Sequence, residues 1–476
     1  MFETVIGLEI HIQLNTASKA FSADANDFHA DPNSHAGPIT LAHPGTLPVM
    51  NRTHLEKGLL LALALGCKIN RHSHFDRKNY FYPDLPKGYQ ITQDKNPYCS
   101  GGNVRFISDK SIKSVRIHHI HMEEDAGKSI HDIHETRTML DFNRAGVPLL
   151  ELVTEPDFRS GQEVSDFLAE LQKTVQYLGI SDGNMEEGSF RCDCNVSVRR
   201  SGAEKLGERC EIKNLNSRRY AKNAIEYEAE RQVKIISAGG QVKRTTMLYD
   251  PDKNSTSPMR KKESENDYRY FPDPDLPPFT VTDEDISVTA GKLVLLPIDR
   301  YLLLTGKYGL SESDADILTE EKIFGDCFFH LAEKEGIYRE LADLIVQKII
   351  PYIKAEKLKF PSPDKWEQLA RFSRLAASKE VSKSAVYQHA FPVWISDITA
   401  DPYEIAARLD LIKSEDQDFL DPLITKVLGQ YPEKVAEYRK GKKGLIGFFM
   451  GQVKNEAGGK ADPKTLQEKL ELALKS

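Results

Sequence analysis

The sequence has no apolar run close to the roughly 18 residues that a membrane-spanning helix needs; the apolar stretch at residues 59–65 is far too short. Its N-terminus, Met1-Phe2-Glu3-Thr4, lacks a basic segment followed by an apolar one, so we expect no signal peptide. Its six cysteines form no CxxC pair. This argues against a disulfide-stabilised module and predicts reduced thiols in a cytoplasmic protein without membrane contact.

An excess of basic charge is also missing. The chain has 64 Lys and Arg against 71 Asp and Glu, a net charge of −7. Any binding of nucleic acid must therefore depend on a local patch. The length of 476 residues corresponds to about three domains, and a composition that is 40% hydrophobic and 28% charged is ordinary for globular domains.

The residue pattern changes near residue 290. Before it, short strands and helices alternate, and after it the pattern is helical almost throughout. We predict an α+β chain with a cradle-like antiparallel-sheet domain and helices at residues 1–290, a helical domain at 291–401 and a helical tail domain at 402–476. Predicted helices include residues 55–65, 161–178, 223–237 and a helix at 338–350 stopped by Pro351.

The first candidate site lies on the predicted N-terminal strand. Glu9, His11 and Gln13 alternate with a row of Ile and Leu residues, so they share one face. Residues two apart are roughly 6.6 Å apart along a strand, close enough for a carboxylate and an imidazole to share one cation. The alternative is a solvated polar face.

A second candidate is the run from Arg116 to Asp125. If this strand continues, His119, His121 and Glu123 lie on one face and Glu124 on the other. Three consecutive acidic residues repel one another unless a cation is near, so this run is compatible with a metal site. An acidic loop in water is the alternative. Zinc is disfavoured because no paired cysteines are present.

Glu151 lies within the apolar run 149–153, where an unpaired carboxylate is costly, so a functional role is favoured. Farther along, Arg191, Asp193 and Asn195 alternate with Cys192 and Cys194, which we interpret as small core residues.

Residues 75–84 place two cations beside three aromatic residues, and residues 267–275 are similar. Such segments suit contact with phosphate and a base or ribose, although an aromatic hairpin is the alternative. The sequence has no nucleophile elbow and no Ser-Gly-rich amidase segment. Together these features favour Mg²⁺-dependent phosphoryl transfer over hydrolysis by an enzyme nucleophile.

Several long, collinear motifs at residues 3–278 resemble the B-subunit family of aspartyl/glutamyl-tRNA amidotransferases. They are residues 4–14, 43–49, 75–84, 121–129, 143–151, 185–193, 211–217 and 267–278. The segments 441–453 and 459–463 resemble the tail domain of that family.

The resemblance implies a two-step reaction. The protein uses ATP and Mg²⁺ to phosphorylate the side-chain carboxylate of glutamate or aspartate mis-acylated on tRNA(Gln) or tRNA(Asn). Ammonia from a separate amidase-type glutaminase, the A subunit, then displaces the phosphate, and a small third component, the C subunit, joins the two. The alternative is a non-catalytic tRNA-binding scaffold.

The resemblance also implies roles for individual residues. It gives metal ligands at His11, Glu124 and Glu151, and only the resemblance chooses Glu124 over Glu123. A second, nucleotide-linked metal shell would consist of Glu9, Asp193 and Glu211. Lys78 would contact phosphate, and we assign Arg191 and Lys213 with it to cofactor binding.

Many family members bind a structural zinc through cysteine pairs in the region that matches residues 22–40. Here the corresponding positions are Ser22, Asp24, Gly37 and Thr40, none of which supplies a thiolate. We therefore expect no structural zinc and a loop held by packing alone.

The last 46 residues (431–476) carry 10 Lys and Arg against 6 Asp and Glu. This local excess predicts that the tail binds tRNA phosphates; a solvated basic helical domain is the alternative. The residues that we assign to tRNA binding are Arg439, Lys440, Lys442, Lys443, Lys454 and Lys460.

Overall fold

A computed structural model describes the chain except for residues 28–29, 132, 261–264, 379, 413–418, 459–460 and 476. Lys460, one of the predicted tRNA contacts, lies outside the described residues. The chain divides into two compact units, Met1–Asp299 and Arg300–Ser476. The first unit contains the sheets and the second is helical, so the predicted α+β class is confirmed. Each helix of the described part is too short or too polar to cross a bilayer.

The strands of the first unit, in chain order, are β1 (Phe2–Gln13), β2 (Lys68–Ile69), β3 (His72–Ser73), β4 (Asp76–Asn79), β5 (Tyr89–Thr92), β6 (Cys99–Ser100), β7 (Asn103–Ser108), β8 (Ser111–Glu124), β9 (Lys128–Ile130), β10 (Met139–Asp141), β11 (Pro148–Thr154), β12 (Phe190–Arg200), β13 (Cys210–Lys213), β14 (Thr245–Asp250), β15 (Ser255–Arg260), β16 (Phe271–Pro272) and β17 (Phe279–Thr280).

The helices of the chain are α1 (Arg52–Ala64), α2 (Gly161–Tyr177), α3 (Arg218–Ser237), α4 (Asp283–Ala290), α5 (Pro297–Gly306), α6 (Glu312–Leu318), α7 (Lys322–Glu335), α8 (Tyr338–Leu344), α9 (Ile350–Ala355), α10 (Trp366–Ala377), α11 (Lys383–Ala385), α12 (Phe391–Ser396), α13 (Pro402–Arg408), α14 (Leu420–Gln430), α15 (Pro432–Arg439), α16 (Ile446–Glu456) and α17 (Pro463–Lys475).

Among the described residues, ten strands form the main sheet, in the order β15-β14-β13-β12-β1-β11-β8-β6-β2, with β7 paired to β8. All pairs are antiparallel except β13 and β14, which are parallel. Parallel neighbours need a long crossover connection, and α3 lies between these two strands in sequence. The main sheet is therefore antiparallel, as predicted, at every described pair except this one.

The alternation in β1 determines the two faces of the sheet. Ile6, Leu8, Ile10 and Ile12 are buried to 1% exposure or less and belong to the main core of the unit. That core also contains apolar residues of α1, α2 and α3, so these helices cover one face. Burial of each large aliphatic side chain contributes about 1.5–3 kcal/mol. The polar residues of β1 consequently share the opposite face, as predicted.

Capping residues determine where the helices begin. Ser160 accepts a hydrogen bond from the backbone N–H of Glu163 at the start of α2, as the sequence predicts. The helix predicted at 223–237 begins five residues earlier, at Arg218, because Ser217 caps it by accepting from the Tyr220 N–H. At the other end of this helix, Gly239 adopts a φ of 77°, which L residues rarely tolerate.

Pro351 does not end its helix, contrary to prediction. The turn Ile345–Ile349 is a π-helical turn, and the helix continues through Pro351 to Ala355. A proline lacks the backbone N–H and its ring clashes with the carbonyl four residues earlier. The wider π turn accommodates both effects. The same arrangement recurs at Val386–Ala390, directly before α12 with its Pro392.

The second unit has two hydrophobic clusters, one formed by residues between Leu304 and Leu411 and one by residues between Leu420 and Leu474. Ile405 and Ala406 of α13 pack in the first cluster. Because we predicted the tail to start at residue 402, this packing moves our proposed boundary to between residues 411 and 420.

Candidate active site

The polar face of the sheet brings together side chains that are far apart in sequence. Across the sheet, His11 on β1 is paired with Arg191 on β12 and with Glu151 on β11. Glu151 is paired in turn with His121 on β8. One step along β1, Glu9 is paired with Asp193. Since residues in register on neighbouring strands are about 5 Å apart, two adjacent rows of titratable groups result.

The first carboxylate group consists of His11, Glu123 and Glu151. The Nε2 atom of His11 lies 3.3 Å from Oε2 of Glu151 and 3.5 Å from Oε1 of Glu123. One ligand atom from each of the three lies within 4.8 Å of the others, which is compatible with a shared cation. Glu123 is only 2% exposed, so its charge must be compensated locally.

The second carboxylate group consists of Glu9, Asp193 and Glu211, and its ligand atoms also lie within 4.8 Å of one another. Neighbouring polar groups orient its members: Asn195 donates to Glu9 at 2.9 Å, and the Thr246 hydroxyl donates to Glu211 at 2.9 Å. An all-oxygen donor set of this kind is the one that Mg²⁺ prefers.

Histidines balance the charge of the first group. Burial alone would lower the pKa of His11, but the carboxylates of Glu151 and Glu123 outweigh it and raise that pKa. Burial also acts to lower the pKa of His121, and the same two carboxylates instead raise it to about 10. Conversely, the pKa of His119 falls to about 4 because it is desolvated and lies beside His121 and His118. Without a cation, the carboxylates of the first group therefore favour protonated His11 and His121, and His11 would have to lose its proton to ligate a metal.

Two lysines border the carboxylate groups. Desolvation alone would lower the pKa of Lys78, and the negative charges of Glu123, Glu151 and Glu9 raise it instead. Its ammonium group lies 5.1 Å from the ring centre of Tyr268. Lys213 forms ion pairs with Asp193 at 2.5 Å and with Glu211 at 3.5 Å. Both lysines are thus positively charged and adjacent to the two carboxylate groups.

A cavity of about 420 Å³ opens over these residues. Its lining contains seven of the residues that we predicted as site residues: Glu9, His11, Lys78, Glu151, Asp193, Glu211 and Lys213. Space for a ligand and charges of both signs therefore coincide on one sheet face.

The structure does not place Glu124 with His11 and Glu151. Its carboxylate pairs with the Lys87 ammonium and accepts from the backbone N–H of Ile91 at 3.0 Å. Since adjacent strand residues point to opposite faces, Glu123 takes the position that we had given to Glu124. The strand alternation had left open which of the two carboxylates faces the site. The structure groups Glu123 with His11 and Glu151 and pairs Glu124 with Lys87, which differs from the position that the resemblance implied for Glu124.

Arg191, predicted to bind the cofactor, is engaged elsewhere. It donates to Asp125 at 3.0 Å, and this carboxylate is the main reason why the pKa of Arg191 is raised. Asp125 also accepts from the Gln13 side chain at 2.8 Å. Arg191 is not among the described residues that line the 420 Å³ cavity.

Sequence reasoning missed two arginines. Arg209 and Arg244 line the cavity and stand directly before β13 and β14. The signal was available for Arg209, since it alternates with Glu211 and Lys213 on one strand. Arg244 gives no such signal, because its position depends on the parallel pairing of β14 with β13.

Hydrogen bonds around Asp24 hold the loop of residues 22–40, so our expectation that packing alone holds it is wrong. The Asp24 carboxylate accepts from Ser22 Oγ at 3.0 Å, from the Gly37 N–H at 3.0 Å and from the Thr40 hydroxyl. Burial would raise the pKa of Asp24, but these donors lower it. The four positions without thiolates thus form one polar network.

Five of the predicted tRNA contacts are exposed on the tail: Arg439, Lys440, Lys442, Lys443 and Lys454. Four of them lie close together, at the end of α15 and in the turn before α16. Arg439 also donates to the Leu474 carbonyl at 3.1 Å, and Lys443 lies 4.3 Å from the ring centre of Tyr438. This segment is the basic cluster of the tail.

Comparison with known proteins adds an independent finding. Residues 4–287 match the family model described as the GatB/GatE catalytic domain, and residues 326–474 match the GatB domain. The chain is 42% identical over 479 residues to the B subunit of the aspartyl/glutamyl-tRNA(Asn/Gln) amidotransferase from Anaeromyxobacter sp. (strain Fw109-5), covering 99% of both chains. It is 43% identical over 477 residues to the B subunit from Chlorobium luteolum, with the same coverage. Against the B subunit from Bdellovibrio bacteriovorus it is 42% identical over 475 residues, covering 98% of this chain and 99% of that protein.

Proposed function

The chain belongs to the GatB/GatE family, as the B subunit of a tRNA-dependent amidotransferase, and on this premise we propose that its two carboxylate groups form an ATP- and Mg²⁺-dependent site. There, the side-chain carboxylate of glutamate or aspartate on tRNA is phosphorylated and then amidated. The observation that carries the proposal is the convergence of both groups and two lysines on one cavity.

The residues fit a divalent cation by their donor chemistry. The second group offers only carboxylate oxygens, and the first offers two carboxylates and one imidazole. Glu123 is buried and the Glu151 side chain is 13% exposed, and a divalent cation would replace the protons of His11 and His121 as the charge that compensates these carboxylates. When bound, Mg²⁺ would neutralise phosphate charge and polarise the phosphorus for attack.

The residues of the chain have distinct parts in this reaction. Lys78 and Lys213 provide ammonium groups that hold phosphate oxygens and stabilise charge during the transfer. The first step forms a bond between the side-chain carboxylate oxygen and the γ-phosphorus and releases ADP. In the second step, ammonia attacks the acyl carbon and forms the amide bond, and inorganic phosphate leaves with the proton that ammonia loses. The products are Gln-tRNA(Gln) and Asn-tRNA(Asn).

Ammonia has to come from another polypeptide. The sequence contains no Ser-rich, lysine-assisted nucleophile of the kind that amide hydrolysis requires. The relatives of this chain are by name one component of a multi-subunit enzyme. We propose that an amidase-type glutaminase, the A subunit, supplies the ammonia, that a small C subunit completes the assembly, and that the isolated chain has no glutaminase activity.

Mis-acylated tRNA is the proposed substrate. We propose that both Glu-tRNA(Gln) and Asp-tRNA(Asn) are used, since the names of the relatives cover both. Docking of the tRNA would depend on the basic cluster of the tail, because the chain as a whole carries a net charge of −7.

The experiment compares variants of the assembled enzyme with mis-acylated tRNA, ATP and Mg²⁺. We expect Glu151→Gln to reduce tRNA-dependent phosphate release at least about 100-fold, since loss of supporting residues alone costs metal sites 10–100-fold. Glu155→Gln, four residues along the chain, serves as the control and should retain activity. If Glu151→Gln leaves phosphate release unchanged, the assignment of Glu151 to the metal site is wrong.

A further inference from the structure

Lys213 bridges two members of the second carboxylate group. Its ammonium nitrogen lies 2.5 Å from Oδ2 of Asp193 and 3.5 Å from Oε1 of Glu211. The side chains of these two carboxylates are 19% and 7% exposed, and the side chain of Lys213 is 33% exposed. The ammonium group is therefore partly shielded from water together with its partners, which makes these ion pairs stronger than those of an open protein surface.

The register of the strands determines the position of Lys213. It lies two residues after Glu211 on β13, so both side chains point to the same face of the sheet. The residue between them, Ile212, is paired with Cys194 on β12, so the next step along the two strands places Asp193 opposite Lys213. Opposite charges at such cross-strand positions stabilise a sheet. The backbone pairing thus brings the ammonium group to the carboxylates, independently of any loop.

A divalent cation would compete with this ammonium group for the same oxygen atoms. Ligand atoms of Glu9, Asp193 and Glu211 lie within 4.8 Å of one another, so one cation between them would contact the two carboxylates that the lysine contacts. Like charges a few ångströms apart repel strongly in a partly buried site. The ammonium group consequently lowers the affinity of the second carboxylate group for a metal ion.

The lysine side chain can leave the carboxylates without any change in the sheet. A lysine ammonium group has three donors and no free lone pair, so it cannot itself become a metal ligand and has to move when a cation enters. Its four-carbon stem is flexible, and Lys213 lines the cavity of about 420 Å³ above the group. Phosphate oxygens bound in that cavity would offer the ammonium group new acceptors within reach of the same stem.

Resting on the proposed ATP-dependent function, we infer that Lys213 is the resident counter-ion of the second carboxylate group and that this group binds its divalent cation only together with ATP. Without ATP, the carboxylates retain the ammonium group. The triphosphate draws the ammonium group away, and its negative charge compensates the cation that replaces it. Binding of ATP and binding of this cation therefore favour each other, and each raises the affinity for the other by the same factor.

A permanent ion pair, in which Lys213 takes the place of any metal, is the alternative. Three carboxylates against one ammonium group leave an excess of negative charge in the second group. This excess would repel the phosphates of ATP as they enter the same cavity. A cation that enters with the phosphates removes the repulsion, whereas a permanent ion pair does not. The charge of the group therefore favours exchange of the ammonium group for a cation.

The test counts the Mn²⁺ ions that the assembled enzyme binds with and without ATP, by electron paramagnetic resonance and in the absence of tRNA. Mn²⁺ serves as the probe because it prefers the same oxygen ligands as Mg²⁺. Glu211→Gln should leave the number bound without ATP unchanged and reduce the number bound with ATP by one. Lys213→Met should bind one more Mn²⁺ than the unaltered enzyme without ATP, since loss of the adjacent charge should lower the Kd of this site at least about tenfold. The double variant Lys213→Met with Glu211→Gln should lose this additional ion.

Two further variants separate the position of the charge from its sign. Lys213→Arg keeps a cation at the same position and should bind the same number of ions as the unaltered enzyme. Lys78→Met removes a positive charge from the same cavity, but this lysine is influenced most by Glu123 and Glu151 of the first group. It should not admit the additional Mn²⁺ without ATP.

A lower number of Mn²⁺ ions bound by Glu211→Gln without ATP would mean that the second group holds a cation beside Lys213, and the inference would be overturned. This result does not depend on whether Lys213→Met folds. In a folded Lys213→Met, an unchanged number without ATP overturns the inference equally. If Glu211→Gln changes neither number, the permanent ion pair is correct. If the unaltered enzyme binds no Mn²⁺ under either condition, the proposed metal-dependent function itself fails, which is a separate result.

Discussion

The Nε2 atom of His11 lies 3.3 Å from Oε2 of Glu151, and the same two residues are paired across strands β1 and β11. The register of the two strands therefore fixes this contact, and it does not depend on the conformation of any loop. Sites on paired strands hold their geometry more accurately than sites on loops. The two carboxylate groups are thus pre-organised for ligands before any substrate binds.

Glu228 should make the stability of the first unit depend on acid pH. Its carboxylate is buried, which would raise its pKa, but hydrogen bonds from Arg231, Gln232 and Thr256 lower it. Because the pKa of Glu228 is lower in the folded protein than in the unfolded chain, ionised Glu228 stabilises the fold at pH values above its unfolded pKa of about 4.3. This stabilisation is lost as the pH falls through the folded pKa.

We expect Glu228→Gln to reduce the free energy of unfolding at pH 7 by about 1–3 kcal/mol and to make its acid dependence shallower. Urea unfolding between pH 3 and 7 measures both. Glu226→Gln, an exposed position of the same helix, should show the pH profile of the unaltered chain. If the free energy of unfolding of Glu228→Gln depends on pH as steeply as that of the unaltered chain, this assignment is contradicted.

The loop of residues 22–40 should depend on Asp24 and not on zinc. Asp24→Ala leaves the Ser22, Gly37 and Thr40 donors without their shared acceptor, which should lower the free energy of unfolding by about 1–3 kcal/mol. Ser22→Ala removes one donor and should cost less. Elemental analysis of the purified chain should find no stoichiometric zinc; a chelator that lowers the Tm would show that zinc is bound.

The basic cluster of the tail should determine the salt dependence of tRNA binding. Replacing Lys440, Lys442 and Lys443 by alanine should weaken binding and reduce the slope of log K against log salt by about 2–3, at 0.7–0.9 per phosphate contact. The double replacement of the exposed Lys464 and Lys475 on α17 is the control. Filter binding from 50 to 200 mM salt gives the slopes; identical slopes would mean that the tRNA docks elsewhere.

Much of the site followed from strand alternation alone. The period-2 pattern of β1 gave the face of Glu9 and His11, and the same reasoning placed Glu123 with His121 and Glu124 opposite. The resemblance to a known family implied Glu124, which the structure pairs with Lys87 and does not group with His11 and Glu151.

Other features depend on information that local sequence does not contain. The pairing of His11 with Glu151, and of Cys210 with Thr245 directly after Arg209 and Arg244, is a matter of register between strands distant in the chain. Pro351 was interpreted as a helix stop, because the sequence gives no sign of the π turn that accommodates it. Tertiary packing decides both outcomes.

The adjacent carboxylates Glu123 and Glu124 give the most direct test of the central claim, that the first carboxylate group binds Mg²⁺. The measurement is the Mg²⁺ concentration that gives half-maximal tRNA-dependent phosphate release by the assembled enzyme. We predict that Glu123→Gln raises this concentration at least about tenfold and that Glu124→Gln leaves it unchanged, because the Glu124 carboxylate pairs with Lys87 on the opposite face. A raised Mg²⁺ requirement for Glu124→Gln, with Glu123→Gln unaffected, would contradict the account.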